Sequence, residues 1–144
     1  MSRDPARFLL DVNVLVALAD RAHVHHRIVT KWFEASGRLG WGVCALTEAG
    51  FLRVSASVGS HSIDGATELL IRFGQHPGYR YWPFTAGWPA LAAPFRGRIF
   101  GHQQVTDAYL LGLAVKENGV LVTLDKAMGH LAGAEYRHHL LVLE

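Results

Sequence analysis

Short apolar runs separated by segments of helical spacing extend along the whole chain. Four runs have strand length, Arg7–Leu10, Leu39–Cys44, Tyr79–Phe84 and Val120–Leu124, and His139–Leu143 is a fifth. Phe8-Leu9-Leu10 and Val120-Leu121-Val122 are continuously apolar, the pattern of strands covered on both faces. Between the runs, apolar positions recur at helical intervals over Val12–Ala19, His25–Ala35, Ala45–Ser57, Ile63–Gln75 and Gln103–Asn118. Gly37 and Gly119 stand where C-terminal stops are expected for the second and the last of these helices. Strands alternating with helices predict an α/β fold with a parallel sheet and right-handed crossovers. His76–Gly101 breaks the alternation, being rich in Gly, Pro and aromatic residues. Its rings read either as core packing or as a platform for a partner protein or nucleic-acid bases.

Polar positions carry the chemistry. Asp11 follows the run Phe8-Leu9-Leu10 directly, and Asp125 follows Val120–Leu124 directly. In open parallel sheets functional groups gather at the carboxyl ends of strands, so both acids belong to one edge. Either could also be a helix N-cap. Helical offsets add something that a cap does not explain. Asp11 shares a face with Val14, Leu15 and Leu18; Glu48 with Phe51 and Leu52; Asp107 with Leu110, Leu111 and Ala114. Three acids thus head stripes that face a core, where unpaired carboxylates are rare. Few cations share these registers, and a helix N-terminus contributes only ~0.3–1 kcal/mol, up to ~2 when partly buried. A divalent cation would compensate them. Carboxylate and water ligands suit Mg²⁺ or Mn²⁺, and such sites handle phosphate chemistry through metal-activated water.

Composition narrows the choice. Half of the 144 residues are hydrophobic and 18% are charged, which excludes a disordered chain. No apolar run reaches the ~18 residues of a membrane helix, and Asp4, Asp11 and Asn13 interrupt any N-terminal signal-like stretch. One compact domain over residues 1–144, cytoplasmic and with no membrane association, is the expectation. Cys44 is the single cysteine, which excludes an internal disulfide and a cysteine-built zinc site, and it reads as a small core residue. His23, His25 and His26, like His138 and His139, lack partners at ligand spacing. Neither a G-x-S-x-G elbow nor a phosphate-binding P-loop is present. The net charge of +2 conceals an asymmetry: once four acids are assigned to metal, the 14 basic residues, 11 of them arginine, are well in excess. Arg53, Arg96, Arg98 and Lys126 are candidate phosphate contacts, each with the alternative of an ordinary solvated cation.

The segments Phe8–Leu15, Ala45–Glu48, Thr106–Ala114 and Leu121–Asp125, in this order and spacing, resemble the PIN-domain ribonucleases, and most of all the VapC-type toxins of bacterial toxin–antitoxin pairs. The resemblance covers nearly the whole chain. It implies a single PIN-like α/β domain, with a central, mostly parallel sheet of four to five strands flanked by helices. It also implies a metal-dependent endoribonuclease using one or two Mg²⁺ or Mn²⁺ ions at Asp11, Glu48, Asp107 and Asp125. Asn13 and Thr123 match supporting, water-positioning residues. The partners implied are an RNA substrate, a cognate antitoxin bound across the active-site groove and a second copy in a homodimer.

Two other readings remain open on the residues alone. Asp11 at a strand end suits an aspartyl-phosphate phosphatase or receiver-like domain, although Asp11-Val12-Asn13 departs from the Asp-x-Asp of such phosphatases. A PIN-like fold serving only RNA or protein binding is the other.

Overall fold

In the computed structural model, which describes residues 7–144, the continuously apolar runs lie in the middle of the sheet. Strands β1 (Phe8–Leu10), β2 (Trp41–Gly42), β3 (Val120–Thr123) and β4 (Leu140–Val142) form one sheet of order β2-β1-β3-β4, with every pairing parallel. The register pairs Leu9 with Leu121 and Leu10 with Val122. Side chains alternate across a strand. Leu9 and Leu121 therefore enter one core layer with Phe95, Leu110, Leu111, Leu113 and Leu131. Leu10 and Val122 enter the other, with Val14, Leu15, Val29, Trp41 and Phe51.

The helices cover these two layers. Helices α1 (Val12–Ala19), α2 (His26–Ala35), α3 (Ala45–Ser57) and α4 (Ile63–Gly74) supply the second layer, and α5 (Trp88–Ala92), α6 (Gln104–Lys116) and α7 (Met128–Ala132) supply the first. Helix α6 is buried from Leu110 to Ala114 without interruption, as a helix apolar on all sides must be. Gly112 is required there because a Cβ would strike the Leu91 carbonyl of α5. Among the described residues no helix is long and apolar enough to cross a membrane.

Two expectations are corrected, and two short helices are added. Tyr79–Phe84 is not a strand. It makes a single parallel bridge, Trp41 to Tyr79, and follows β2 through Arg80 N–H to Trp41 O (2.9 Å) and Trp82 N–H to Val43 O (3.0 Å). The pairing goes no further, and the sheet has four strands. At the end of α6 the left-handed position is taken by Asn118 (φ 55°) and not by Gly119. Gly119 is needed for space, since a Cβ would meet the Trp82 ring. Finally, α5 and α7 lie in segments where helical spacing was too short to register, five residues each.

Candidate active site

The order β2-β1-β3-β4 makes β1 and β3 the central pair, with the chain crossing to β2 on one side and β4 on the other. Groups at the carboxyl ends of these two strands share the crevice at the switch point. Asp11 ends β1, buried, with its amide bonded to Val122 O at 2.9 Å. Its Oδ1 accepts from Val12 N–H (2.8 Å), which makes it the N-cap of α1. Its Oδ2 accepts from the Thr123 hydroxyl (2.8 Å) at the end of β3.

Thr123 is the hub of this edge. The same hydroxyl oxygen accepts from Asn13 Nδ2 (3.3 Å) and from Asp125 N–H (3.1 Å). One donor and two lone pairs are then all used. Asn13 closes the loop, its Oδ1 accepting from Leu124 N–H at 3.1 Å. Asp125 is exposed, with Oδ1 accepting from Ala127 N–H (2.9 Å).

Asp107 projects from the first turn of α6, half-buried. Burial pushes its carboxyl up to about 6, and the charges of Asp11 and Asp125 add to the shift. The Asp11 carboxyl is likewise raised by burial, against the opposing bonds from Thr123 and Val12, with a further push from Asp125. The charges of Asp11 and Asp125 are thus both felt at Asp107. Among the described residues no hydrogen bond or ion pair reaches the Asp107 carboxylate, and the one salt bridge, Lys126 Nζ to Glu144 Oε1 at 3.5 Å, lies between exposed side chains.

Glu48 occupies the first turn of α3, half-buried and raised by that burial. Its charge reaches the phenols of Tyr79 and Tyr81, which places it on the β2 side of the edge. Thr47, missed in the sequence, anchors this side: its buried hydroxyl donates to Leu10 O at 2.8 Å, tying α3 to the end of β1. The available signal was a hydroxyl in front of Glu48, indistinguishable by itself from an ordinary helical threonine.

In this conformation no three His, Cys, Asp or Glu side chains among the described residues are gathered tightly enough to ligate an ion. The donor chemistry nevertheless fits one. Asp107, raised by burial and by the charges of Asp11 and Asp125 with no counter-cation, completes with them a hard oxygen set of the kind Mg²⁺ or Mn²⁺ takes.

Comparison with known proteins decides the family. Residues 8–134 match the PIN domain. The chain belongs to the PIN-domain family. Its similarity extends to Ribonuclease VapC38 of Mycobacterium tuberculosis, 42% identical over 128 residues and covering 86% of this chain and 89% of that one. Ribonuclease VapC44 of the same organism is 39% identical over 137 residues, covering 92% and 96%. The solved structure of VapBC2 from Rickettsia felis bound to a promoter DNA fragment shares the fold, with a TM-score of 0.61 at 14% identity over 95% of this chain and 98% of that one.

The PIN domain's candidate phosphate contacts separate in the structure. Arg53 on α3 and Arg96 on the 3-10 turn Ala93–Arg98 are exposed. Lys126 is exposed and paired with Glu144. Arg98 is half-buried, and its Nη1 donates to Leu131 O (3.1 Å) and Ala132 O (3.2 Å), the last carbonyls of α7. That engagement ties down a helix end. Cys44 is buried with Sγ 3.7 Å from Thr47 Oγ1, and His139 is buried with Nδ1 2.8 Å from Gly119 O.

Proposed function

We propose that this PIN domain is a divalent-metal-dependent endoribonuclease and the toxin half of a toxin–antitoxin pair. The observation that carries the reading is the Asp11–Asp107–Asp125 cluster, in which Asp107 is raised to about 6 by burial and by two neighbouring carboxylates with no cation beside it. Asp11, Asp107 and Asp125 would hold one or two Mg²⁺ or Mn²⁺ ions, with Glu48 as a further ligand or as proton acceptor. When bound, the ion supplies an acidified water and a countercharge for the phosphodiester.

The protein's own groups do the rest. Thr123 holds Asp11 in one rotamer through the 2.8 Å bond to Oδ2, leaving Oδ1 on the α1 amide. Asn13 fixes Thr123 and the Leu124 amide together, so that Asp11 and Asp125 keep their relative position. Arg53 and Arg96, both exposed, would meet phosphate oxygens of an RNA strand.

Ribonuclease VapC38 and Ribonuclease VapC44 support the RNA substrate by their names. The VapBC2 structure supports an antitoxin partner, and a homodimer completes the proposal. The test is incubation of the purified protein with total cellular RNA and Mg²⁺ or Mn²⁺, followed by mapping of the new ends. Discrete cleavage that a chelator and Asp107→Asn both abolish is expected. Cleavage that survives the chelator, or that Asp107→Asn performs at the parental rate, overturns the proposal.

A further inference from the structure

The aromatic stretch of residues 76–101 divides sharply on folding. Tyr79 packs edge-on to Trp41 (5.1 Å between centroids), Phe84 against Tyr109 (5.4 Å) and Phe95 against Tyr136 (5.2 Å). Trp82 is buried, and Trp88 Nε1 donates to Val105 O at 3.1 Å. Phe100 does none of this. It is 89% exposed, more than any other large apolar side chain among the described residues.

Its position is defined. Phe100 lies between the 3-10 turn Ala93–Arg98 and α6, and its N–H donates to the Gln104 side-chain carbonyl. Gln104 N–H to Gly101 O (3.1 Å) and Val105 N–H to His102 O (3.2 Å) carry the loop into the helix. Asp107 follows three residues after Gln104, about 4.5 Å further along the axis. The ring is thus presented at the start of the helix that carries a catalytic carboxylate.

The chain leading up to and through Phe100 is one-signed. Residues 69–106 contain no acidic residue and include Arg72, Arg80, Arg96, Arg98 and His102. A protein anchor fills a pocket within a larger apolar patch. Phe100 stands instead as a single exposed ring on a stretch of chain whose only charges are basic, with the exposed Arg96 four residues before it, which suits a polyanion whose flat bases stack on aromatic faces.

We propose that Phe100 is a base-stacking residue for single-stranded RNA, holding an unpaired base beside the carboxylate cluster and so selecting where the strand is cut. The proposal rests on the ribonuclease reading and deepens it. Binding is measured by fluorescence anisotropy with end-labelled single-stranded RNA of random sequence. The full-length protein carries Asp107→Asn to prevent cleavage, alone or combined with F100A, F100L or F100W. F100A and F100L are expected to weaken binding about ten-fold or more, the order expected for one stacked base, and F100W to retain it. Melting temperatures stay unchanged, because an exposed ring contributes little to the fold. In the Asp107-containing protein, F100A shifts or blurs the mapped cleavage positions.

Equal RNA affinity in F100A, with the same cut positions at the same rate, overturns the stacking role while leaving the ribonuclease reading intact. A ring that serves a protein partner instead gives this same result. Absence of any RNA cleavage by the parent protein with Mg²⁺ or Mn²⁺ removes the ribonuclease reading itself, and this proposal with it.

Discussion

Thr123 Oγ1 donates to Asp11 Oδ2 at 2.8 Å, joining residues 112 positions apart at the ends of the two central strands. The bond exists because β1 and β3 are parallel neighbours in a register that brings Leu10 opposite Val122, so the next residues on each strand meet beyond the sheet. It is the joint on which the carboxylate cluster turns.

Removing this joint has a defined expected outcome. Thr123→Val leaves Asp11 Oδ2, Asn13 Nδ2 and the Asp125 amide without their shared partner, a loss of about 1–3 kcal/mol in stability. RNA cleavage falls more than stability does, since Asp11 loses its fixed rotamer. Thr123→Ser keeps the hydroxyl and retains both. Thermal unfolding and cleavage rates on the two variants check the difference.

Asp107 makes the metal-free protein less stable at neutral pH than in mild acid. Its folded pKa of about 6 lies above the ordinary 3.8, so its contribution is fully present below pH 3.8 and is lost as pH rises through about 6. Asp107→Asn is therefore expected to be the more stable protein at pH 7.5 by about 1–2 kcal/mol, solvent screening reducing the full linkage value at a half-buried site. The advantage disappears near pH 4. Denaturant unfolding in chelator at the two pH values measures it, and equal stabilities at pH 7.5 would sink the raised Asp107 pKa, caused by burial first and by the neighbouring charges second.

Tyr79 reports the position of Glu48. Burial, aided by the Glu48 charge, pushes its phenol up to about 12. Glu48→Gln is expected to bring the phenol closer to the ordinary value of 10, seen in the phenolate absorbance during alkaline titration. With a raised folded pKa, Tyr79 contributes stability present below pH 10 and lost as pH rises through about 12. Tyr79→Phe abolishes that alkaline component. An unchanged Tyr79 titration in Glu48→Gln would mean that the two side chains do not face each other.

Arg98 and Arg96 separate structure from binding. Arg98→Ala strips the guanidinium from the Leu131 and Ala132 carbonyls and is expected to cost about 1–2 kcal/mol in thermal unfolding. Arg96→Ala leaves unfolding unchanged and weakens RNA binding, with a shallower salt dependence. Loss of RNA binding in Arg98→Ala without destabilisation would reverse the assignment.

Much of this was legible in the residues. Helices α1 and α3 run over Val12–Ala19 and Ala45–Ser57 as their apolar spacing predicts, and the continuously apolar runs Phe8-Leu9-Leu10 and Val120-Leu121-Val122 lie in the central strands. Periodicity works there because burial of a face is a local property of the pattern. It fails at Tyr79–Phe84, which makes a single bridge and not a ladder, and at α5 and α7, which are too short to show a period. At the end of α6 the glycine signal was displaced by one residue, because Gly119 answers to the Trp82 ring rather than to the helix.

By itself the sequence marked the candidate residues and the elements that bear them: acids after apolar strands and at the heads of apolar helix stripes. Only the tertiary structure decided how these groups meet. Strand order placed Thr123 under Asp11, and the docking of α6 brought Asp107 within reach of two other carboxylates. The same folding drew most of the aromatic stretch inward while leaving Phe100 in solvent. The physical reason is range. Periodicity and capping act over a few residues of one chain segment, whereas charge repulsion, shared hydroxyls and exposure depend on segments a hundred residues apart arriving at the same sheet edge.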